Sequence, residues 1–455
     1  MKYQNQFLSN GLMKEKLPEV EFESIIQSIN SNLTGSIGNT LSFKYVDIGD
    51  VVKYNIRGRG KNKYIKINSV DRANLFQPEC NYFSECGGCI AQHIEYKRQF
   101  EYKTKNLLKE FKERFSIELQ VFPAKQIFTY RNRMDFAVFP QGIGLRQSEN
   151  FRKIIDIDDC KIQSDWANIE FRKIRELIHS QFHDLIYDRK QDIGYLKYIT
   201  IRRNADHSDR MIIFTFTNEF QVHDSKKNLS KELMNICESE NIIFCFNRRR
   251  AEVSSEGVYE IIKGNFYYTE KFLNKEWIVP FNSFSQPNLL GFKPILDFIN
   301  LEIKNRNYNS MIDLFCGNGF FSLMFGDHFR KLYGYDLQFS SIEIVKKNIE
   351  RNFKEKELHF EKKDLINSKN LDDLEFEDDS ILFLDPPRNG IGDKMNQKLK
   401  SSKINEIFYI SCNPNSQIED LENLKESFKI VSGLITDPFP HTPHLESVVY
   451  LKRII

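Results

Sequence analysis

The 455 residues predict an α/β protein whose C-terminal part folds as a doubly wound parallel sheet, and three observations carry that expectation. From about residue 281, strand-like runs alternate with helix-like ones. The segment "DLFCGNG" puts Gly317 and Gly319 at a strand-to-helix turn, where the backbone can approach a ligand closely. The strand-like runs also end in polar or reactive residues, and open parallel sheets bind ligands at those ends.

Element by element, "YNSMIDLFCGNGFFSLMFGDHF" reads as strand, loop and helix. "KLYGYD" is a strand and "FSSIEIVKKNIERNF" a helix, while "SILFLDPPRNG" and "INEIFYISCNP" are strands with polar ends, and "ESVVYLKR" closes the sheet. Phe315, Asp336, Asp385 and Cys412 fall at the strand ends. Upstream, "LKYITIRRN", "MIIFTFTN" and "IIFCFNRRR" read as strands, with "SKKNLSKELMNICESEN" a helix among them. This describes an α+β domain over 73–280. In residues 1–72, "DVVKYNI" and "KYIKINSV" flank the turn "RGRGKNK", which suits a small β-barrel. Lys53, Arg57, Arg59, Lys61, Lys63 and Lys66, with Tyr54 and Tyr64 between them, could meet phosphates and stack on bases. The same run also fits a solvated hairpin.

The net charge of +2 carries no global signal for nucleic acid, so any basic surface is local. The first residues lack an apolar signal-peptide core, and no apolar run approaches a membrane span. A cytoplasmic monomer without membrane or DNA partners is expected. In that compartment the eight cysteines are thiols or metal ligands rather than disulfides.

The glycine turn is specific only in context. Asp336 ends the next strand about 20 residues on, where an acid accepts both ribose hydroxyls of a nucleotide-like ligand. Ser322 replaces the third glycine of a dinucleotide site, and no P-loop is present. S-adenosylmethionine has a ribose and no phosphate, and fits better. In "LDPPRNG", Asp385 can accept from a substrate N–H beside two rigid prolines. Amino-methyltransferases carry an aromatic after such prolines, but here Arg388 follows.

Cys412, in "YISCNPNSQIEDL", sits where a nucleophile would be needed to activate carbon-5 of a pyrimidine. Addition of its thiolate to carbon-6 makes carbon-5 enolate-like, and methylation then requires a base to remove the carbon-5 proton. Glu446, beside His444 in "FPHTPHLESVVYL", is the candidate, provided burial raises its pKa.

The ordered set "CNYFSECGGC", "YRNR", "FSQPN", "DLFCGNG", "LDPPRNG", "SCNP" and "FPHTPHLE" resembles the RNA uracil-5-methyltransferase family over roughly residues 40–455. The resemblance implies a Rossmann-like methyltransferase domain over 281–455, a central domain with an iron–sulfur cluster, and an N-terminal TRAM/OB-like barrel that binds RNA. It implies Cys412 as nucleophile and Glu446 as base. Gln286, Phe315, Gly317, Asp336 and Asp385 match donor-binding positions, with Asp364 a contact on the adenine side. Phe284 matches an aromatic that fills the gap left by a flipped base, and Asp385 also faces the uracil. Phe320 stands where some members have a polar residue, so it is assigned no polar contact.

Cys80, Cys86, Cys89 and the distant Cys160 can close a four-thiolate site, and spacing does not separate zinc from iron–sulfur. The resemblance implies a [4Fe-4S] cluster with a structural or RNA-positioning role. Cys237, Cys245 and Cys316 read as packing. Arg131 and Arg133 in "TYRNRM" are expected to contact RNA phosphate or the target base. The cysteine set and the barrel together look more like the 23S ribosomal RNA enzymes than the tRNA enzyme. 23S rRNA is thus the favoured partner and tRNA the alternative.

Overall fold

The computed structural model describes residues 20–454 apart from 39–40, 58–63, 307, 367–370, 372, 375 and 378. Arg59, Lys61 and Lys63 of the basic hairpin lie outside the described residues. The chain divides into two compact units, one ending at Leu75 and the other running from Phe76, with Ser31–Leu33 counted in the second.

The first unit holds two antiparallel three-stranded sheets. One pairs Phe22–Ile25, Val51–Arg57 and Tyr64–Asp71, and the other Ser28–Ile29, Gly35–Ile37 and Leu41–Phe43. Strand alternation turns Val52 and Tyr54 inward, where the Tyr54 ring stacks on Phe22 and meets Phe43 edge-on. Tyr54 is therefore core and is not available for base stacking, whereas Tyr64 is exposed. Lys53 is paired with Glu23.

The second unit contains two large sheets. A seven-stranded sheet runs in the order Asn150–Asp156, Gly142–Gln147, Arg133–Phe139, Leu196–Arg203, Arg210–Thr217, Asn241–Asn247 and Val258–Lys263. Helix Asp165–Gln181 covers it with a stripe of Phe171, Ile174, Leu177 and Ile178.

The eight-stranded sheet runs Glu357–Lys362, Lys331–Asp336, Ser310–Leu314, Ser380–Leu384, Glu406–Ser411, Glu446–Arg453, Phe428–Thr436 and Gln120–Phe122. Its first five strands are parallel, and Glu446–Arg453 is antiparallel to its neighbours. The central strands are buried throughout because helices cover both faces.

The last strand in that order departs from the expected boundary at residue 281. Gln120–Phe122 pairs parallel with Phe428–Thr436, and the helix Tyr96–Phe115 before it inserts Phe100, Leu107 and Phe111 into the same core as Leu382 and Tyr409. A three-residue exposed edge strand leaves almost no periodic signal, so its partnership is invisible locally. Among the described residues no helix is long and apolar enough to cross a membrane.

Candidate active site

The glycine turn is built on strained backbone. Phe315, Gly317 and Gly319 all have positive φ, at 66°, 51° and 81°. A side chain at Gly319 would strike Val345 of the neighbouring helix, whereas one at Gly317 would enter open space. Gly319 is therefore needed for packing, and Gly317 leaves room for a ligand. Asp336 accepts hydrogen bonds from the backbone N–H of Gly317 (2.9 Å) and of Gln338 (2.9 Å), which ties this turn to the next strand. Ser322, in the place of the third glycine, donates from both its N–H (3.2 Å) and its hydroxyl (2.7 Å) to buried Asp313. Phe320 packs near Trp277 and Phe292. Asp364 follows the strand Glu357–Lys362 and accepts from the N–H of Ile366.

The loop 284–288 closes over this turn. Asn318 donates to the carbonyl of Phe284 (2.6 Å), and Asn132 donates from its side chain to the Gln286 carbonyl (2.8 Å) and from its N–H to the Pro287 carbonyl (2.9 Å). Phe284 is left 66% exposed on this loop, unusual for a phenylalanine in an ordered segment.

At the neighbouring strand ends, the prolines after Asp385 lead to Arg388. The Arg388 carbonyl accepts from Asn413 (2.9 Å) and Ser416 (3.0 Å), which staples the Asp385 loop to the Cys412 turn. Pairing of Ser411 with Ser447 sets the register of the antiparallel strand. Their chain neighbours Cys412, just past its strand, and Glu446, the first residue of its own, are near enough for the Glu446 charge to act on the thiol.

The electrostatics of the cluster follow from burial. Glu446 is 4% exposed, and burial pushes its carboxyl well up, reinforced by Asp385 and opposed by Arg388. Burial, with Asp313 nearby, raises Asp385 to about 7. Asp313 is likewise raised to about 7, by burial against its two bonds from Ser322. The Cys412 thiol rises to about 11 through burial and the charges of Glu446 and Asp385, with Arg388 pulling the other way. Burial and the Arg388 guanidinium lower His444 to about 4, so its ring is neutral at pH 7, and Arg388 Nη2 approaches it at 3.2 Å. Arg388 is thus the cation common to Cys412, Glu446 and His444.

The model of the tRNA (uracil-5-)-methyltransferase family matches residues 95–454. The chain belongs to this family. It is an S-adenosylmethionine-dependent RNA (uracil-5-)-methyltransferase. A protein of Leptospira interrogans described as an uncharacterized RNA methyltransferase is 43% identical over 97% of this chain and 99% of its own length. The tRNA (uracil(54)-C(5))-methyltransferase of Pyrococcus horikoshii is 28% identical over 94% of this chain and 99% of its own. The crystal structure of the Pyrococcus abyssi tRNA (uracil-54, C5)-methyltransferase in complex with S-adenosyl-L-homocysteine superposes with a TM-score of 0.76 at 25% identity. It covers 94% of this chain and 100% of that one.

The methyltransferase's loop carrying His444 and Glu446 is bolted down by residues that sequence reading did not single out. Lys103 donates to Asp437 (2.7 Å) with both side chains fully buried, and Tyr96 donates to the same carboxylate (3.2 Å). Tyr130 donates to the Pro440 carbonyl (2.9 Å) and Asn288 to that of Pro438 (2.7 Å). The N–H of Ile90, next to Cys89, donates to the His441 carbonyl (2.8 Å). Only a lysine spaced along the apolar stripe of helix Tyr96–Phe115 hinted at this, and such a lysine usually snorkels to solvent.

Cys80, Cys86, Cys89 and Cys160 line one cavity of about 410 Å³, together with Arg131. Among the described residues no three His, Cys, Asp or Glu side chains converge tightly enough for a single ion. The four thiols surround a space that Asp159 also lines, near enough for its charge to act on the Cys80 thiol. Four cysteine thiols are a donor set that zinc and an iron–sulfur cluster both accept. Burial raises all four thiols, Cys160 to about 12.

The two arginines of "YRNR" part company. Arg131 faces the cysteine cavity, whereas Arg133 is locked in a two-pronged pair with Asp135, with both contacts at 3.0 Å. The same guanidinium also approaches the Ser254 (3.3 Å) and Ser255 (3.5 Å) hydroxyls through Nη2. Cys237, Cys245 and Cys316 are buried among apolar neighbours.

Proposed function

We propose that the protein methylates carbon-5 of a uridine in structured RNA through a covalent Cys412 adduct. The observation that carries this reading is the Ser411–Ser447 pairing, which brings their chain neighbours Cys412 and buried Glu446 to the same end of the sheet. S-adenosylmethionine supplies the methyl group as an electrophile; Phe315, Gly317, Asp336, Asp364, Asp385 and Gln286 are the residues proposed to hold it. Cys412 enters as thiolate, which Arg388 favours, and its sulfur bonds to carbon-6. Carbon-5 then bonds to the methyl carbon, and the departing sulfur keeps the electron pair. Glu446 takes the carbon-5 proton, and that electron pair expels the Cys412 thiolate. Asp385 is placed to accept from the uracil N–H. Phe284, exposed on its loop, fills the stack left by the flipped base. Arg131 lies where it can meet RNA phosphate. The four cysteines are proposed to hold a [4Fe-4S] cluster that braces this region, and the N-terminal unit to act as a TRAM-like RNA-binding barrel.

The preference for 23S rRNA rested on the cysteine set and the N-terminal segment. The Pyrococcus horikoshii relative named for tRNA uracil-54 is matched over 94% of this chain, and the unmatched 6% is shorter than either segment. A relative named for tRNA uracil-54 thus aligns across both segments, which supports tRNA. A tRNA uridine becomes the first substrate to test, with 23S rRNA the second.

The test uses 5-fluorouridine-substituted tRNA and 23S fragments with S-adenosylmethionine. Fluorine cannot leave as a proton, so the enzyme stalls on its RNA in a gel-stable adduct. We expect that adduct with wild-type protein and none with Cys412→Ala, whose turnover falls at least about 1,000-fold. Methyl transfer to normal RNA with no adduct on the fluorinated RNA would sink the cysteine mechanism.

A further inference from the structure

The loop from Phe284 to Asn288 is tied at each residue, and the ties lead to four parts of the fold. The Phe284 carbonyl accepts from Asn318 of the glycine turn, and the Gln286 and Pro287 carbonyls accept from Asn132. Asn288 donates to the Pro438 carbonyl, on the loop that leads to Glu446. The remaining tie is Ser285. Its hydroxyl accepts from Arg202 Nη2 (2.9 Å) and lies 3.1 Å from the Tyr268 hydroxyl. Arg202 Nη1 also donates to the carbonyls of Pro280 (3.1 Å) and Phe281 (2.9 Å). One guanidinium thus holds both ends of the segment that leaves the strand Lys275–Pro280.

Simple packing does not call for an arginine here. Arg202 is 1% exposed, and its hydrogen bonds go to carbonyls and hydroxyls. Asp135, whose charge reaches it, is already paired with Arg133. Taking a cation out of water without an ion pair opposes folding, and a neutral core residue would avoid that penalty. What the guanidinium adds is geometry. Its N–H donors are fixed in one plane and span acceptors from Pro280 to Ser285, which a lysine ammonium does not do. The Tyr268 ring packs against that plane, 5.1 Å away. Arg202 also stands in register with Arg133, and the Arg203 N–H donates to the Asn132 carbonyl (3.0 Å). Asn132 and Arg202 therefore reach out from adjacent strands to neighbouring residues of one loop. This gives the asparagine of "YRNR" a place in the same clamp.

The side chain left outside these ties is Phe284, 66% exposed. An aromatic that takes the place of a flipped base has to resist closure of the stack, and on a loose loop it would move with the stack instead. We propose that Arg202 is a positioning residue for base flipping: acting through Ser285, it fixes the backbone on which Phe284 stands. The inference rests on the uridine reading above, in which Phe284 fills the gap in the RNA.

The test uses Ser285→Ala, which removes the linking hydroxyl and leaves Arg202 its two carbonyls. Arg202→Lys keeps the charge and loses the planar fork. The probe is the 5-fluorouridine tRNA of the adduct assay, or the 23S fragment if that is the RNA that reacts, with 2-aminopurine beside the target to report unstacking by fluorescence. Adduct rate at saturating donor and RNA, RNA affinity and thermal unfolding are measured alongside. We expect Ser285→Ala to form the adduct about tenfold more slowly, with a smaller fluorescence rise and with RNA affinity and melting temperature kept. Arg202→Lys should slow it at least as much. On a Phe284→Ala background, Ser285→Ala should add nothing, because its effect passes through Phe284. Wild-type adduct rates in either single variant overturn the inference. So does a loss on the Phe284→Ala background as large as on wild type, or a slower rate matched by a lower melting temperature in Ser285→Ala. Absence of any adduct with wild-type protein would instead overturn the uridine carbon-5 reading, and the inference with it.

Discussion

Asp437 and Glu446 flank the same loop, both are buried, and they are treated in opposite ways. Asp437 receives Lys103, Tyr96 and the N–H of Phe439, so its charge is neutralised and hydrogen-bonded. Among the described residues no hydrogen bond reaches the Glu446 carboxylate, and its one nearby cation, Arg388, is exposed and shared with Cys412. A buried acid with every lone pair satisfied holds structure together. A buried acid left short of partners keeps a high proton affinity, which is what a base for carbon-5 requires. The loop thus joins an anchored end to a reactive end, and the anchor keeps the reactive end aimed.

The largest expected effect lies at the reactive end. Glu446→Gln keeps shape and removes the base, so the adduct should form on ordinary RNA and fail to resolve. Turnover should fall about 10²–10⁴-fold, the range for losing a general base. Denaturing gels with labelled tRNA should show the stalled complex that wild-type protein does not accumulate. Full turnover in the variant would move the base to another residue.

Breaking the anchored end should cost stability first. Lys103→Met leaves Asp437 buried without its cation, for a loss of about 3–5 kcal/mol. Adding Asp437→Leu should recover much of that loss, because the two charges are then removed together. Urea unfolding of the three proteins measures this. If the double variant is as unstable as the single, the pair contributes more than mutual neutralisation.

The reactive end was far more legible in the sequence than the anchored one. Cys412, Asp385 and Glu446 stand in an ordered set of short motifs, although Glu446 by residue type alone reads as a solvated loop acid, and strand ends are where α/β folds put chemistry. Lys103 and Asp437 act through each other across 334 residues of chain, and nothing local distinguishes a buried lysine from a solvated one. The parallel order of the central strands could be read from alternation, whereas the edge strand Gln120–Phe122 was too short and exposed to signal itself. Tyr54 shows the reverse failure, for it reads as a stacking residue in the basic hairpin and strand alternation buries it.

The smallest effect sharpens the comparison through pH. Asp385 titrates near 7 in the folded protein, against 3.8 for an ordinary aspartate. Between about pH 4 and 7 the folded chain therefore holds a proton that the unfolded chain has released, so stability falls as pH rises through this window. Asp313 contributes in the same direction. Asp385→Asn removes one share of that loss. The variant should match wild-type protein near pH 4 and exceed it at pH 7.5 by roughly 1–3 kcal/mol, read from urea midpoints. A paired acid gives the opposite sign, since its native charge adds stability that is lost on acidification. Parallel pH curves for the two proteins would mean that Asp385, like Asp437, has found partners in solution. Divergent curves would mean that this edge of the sheet is less stable at neutral pH because its acids are kept ready for a substrate.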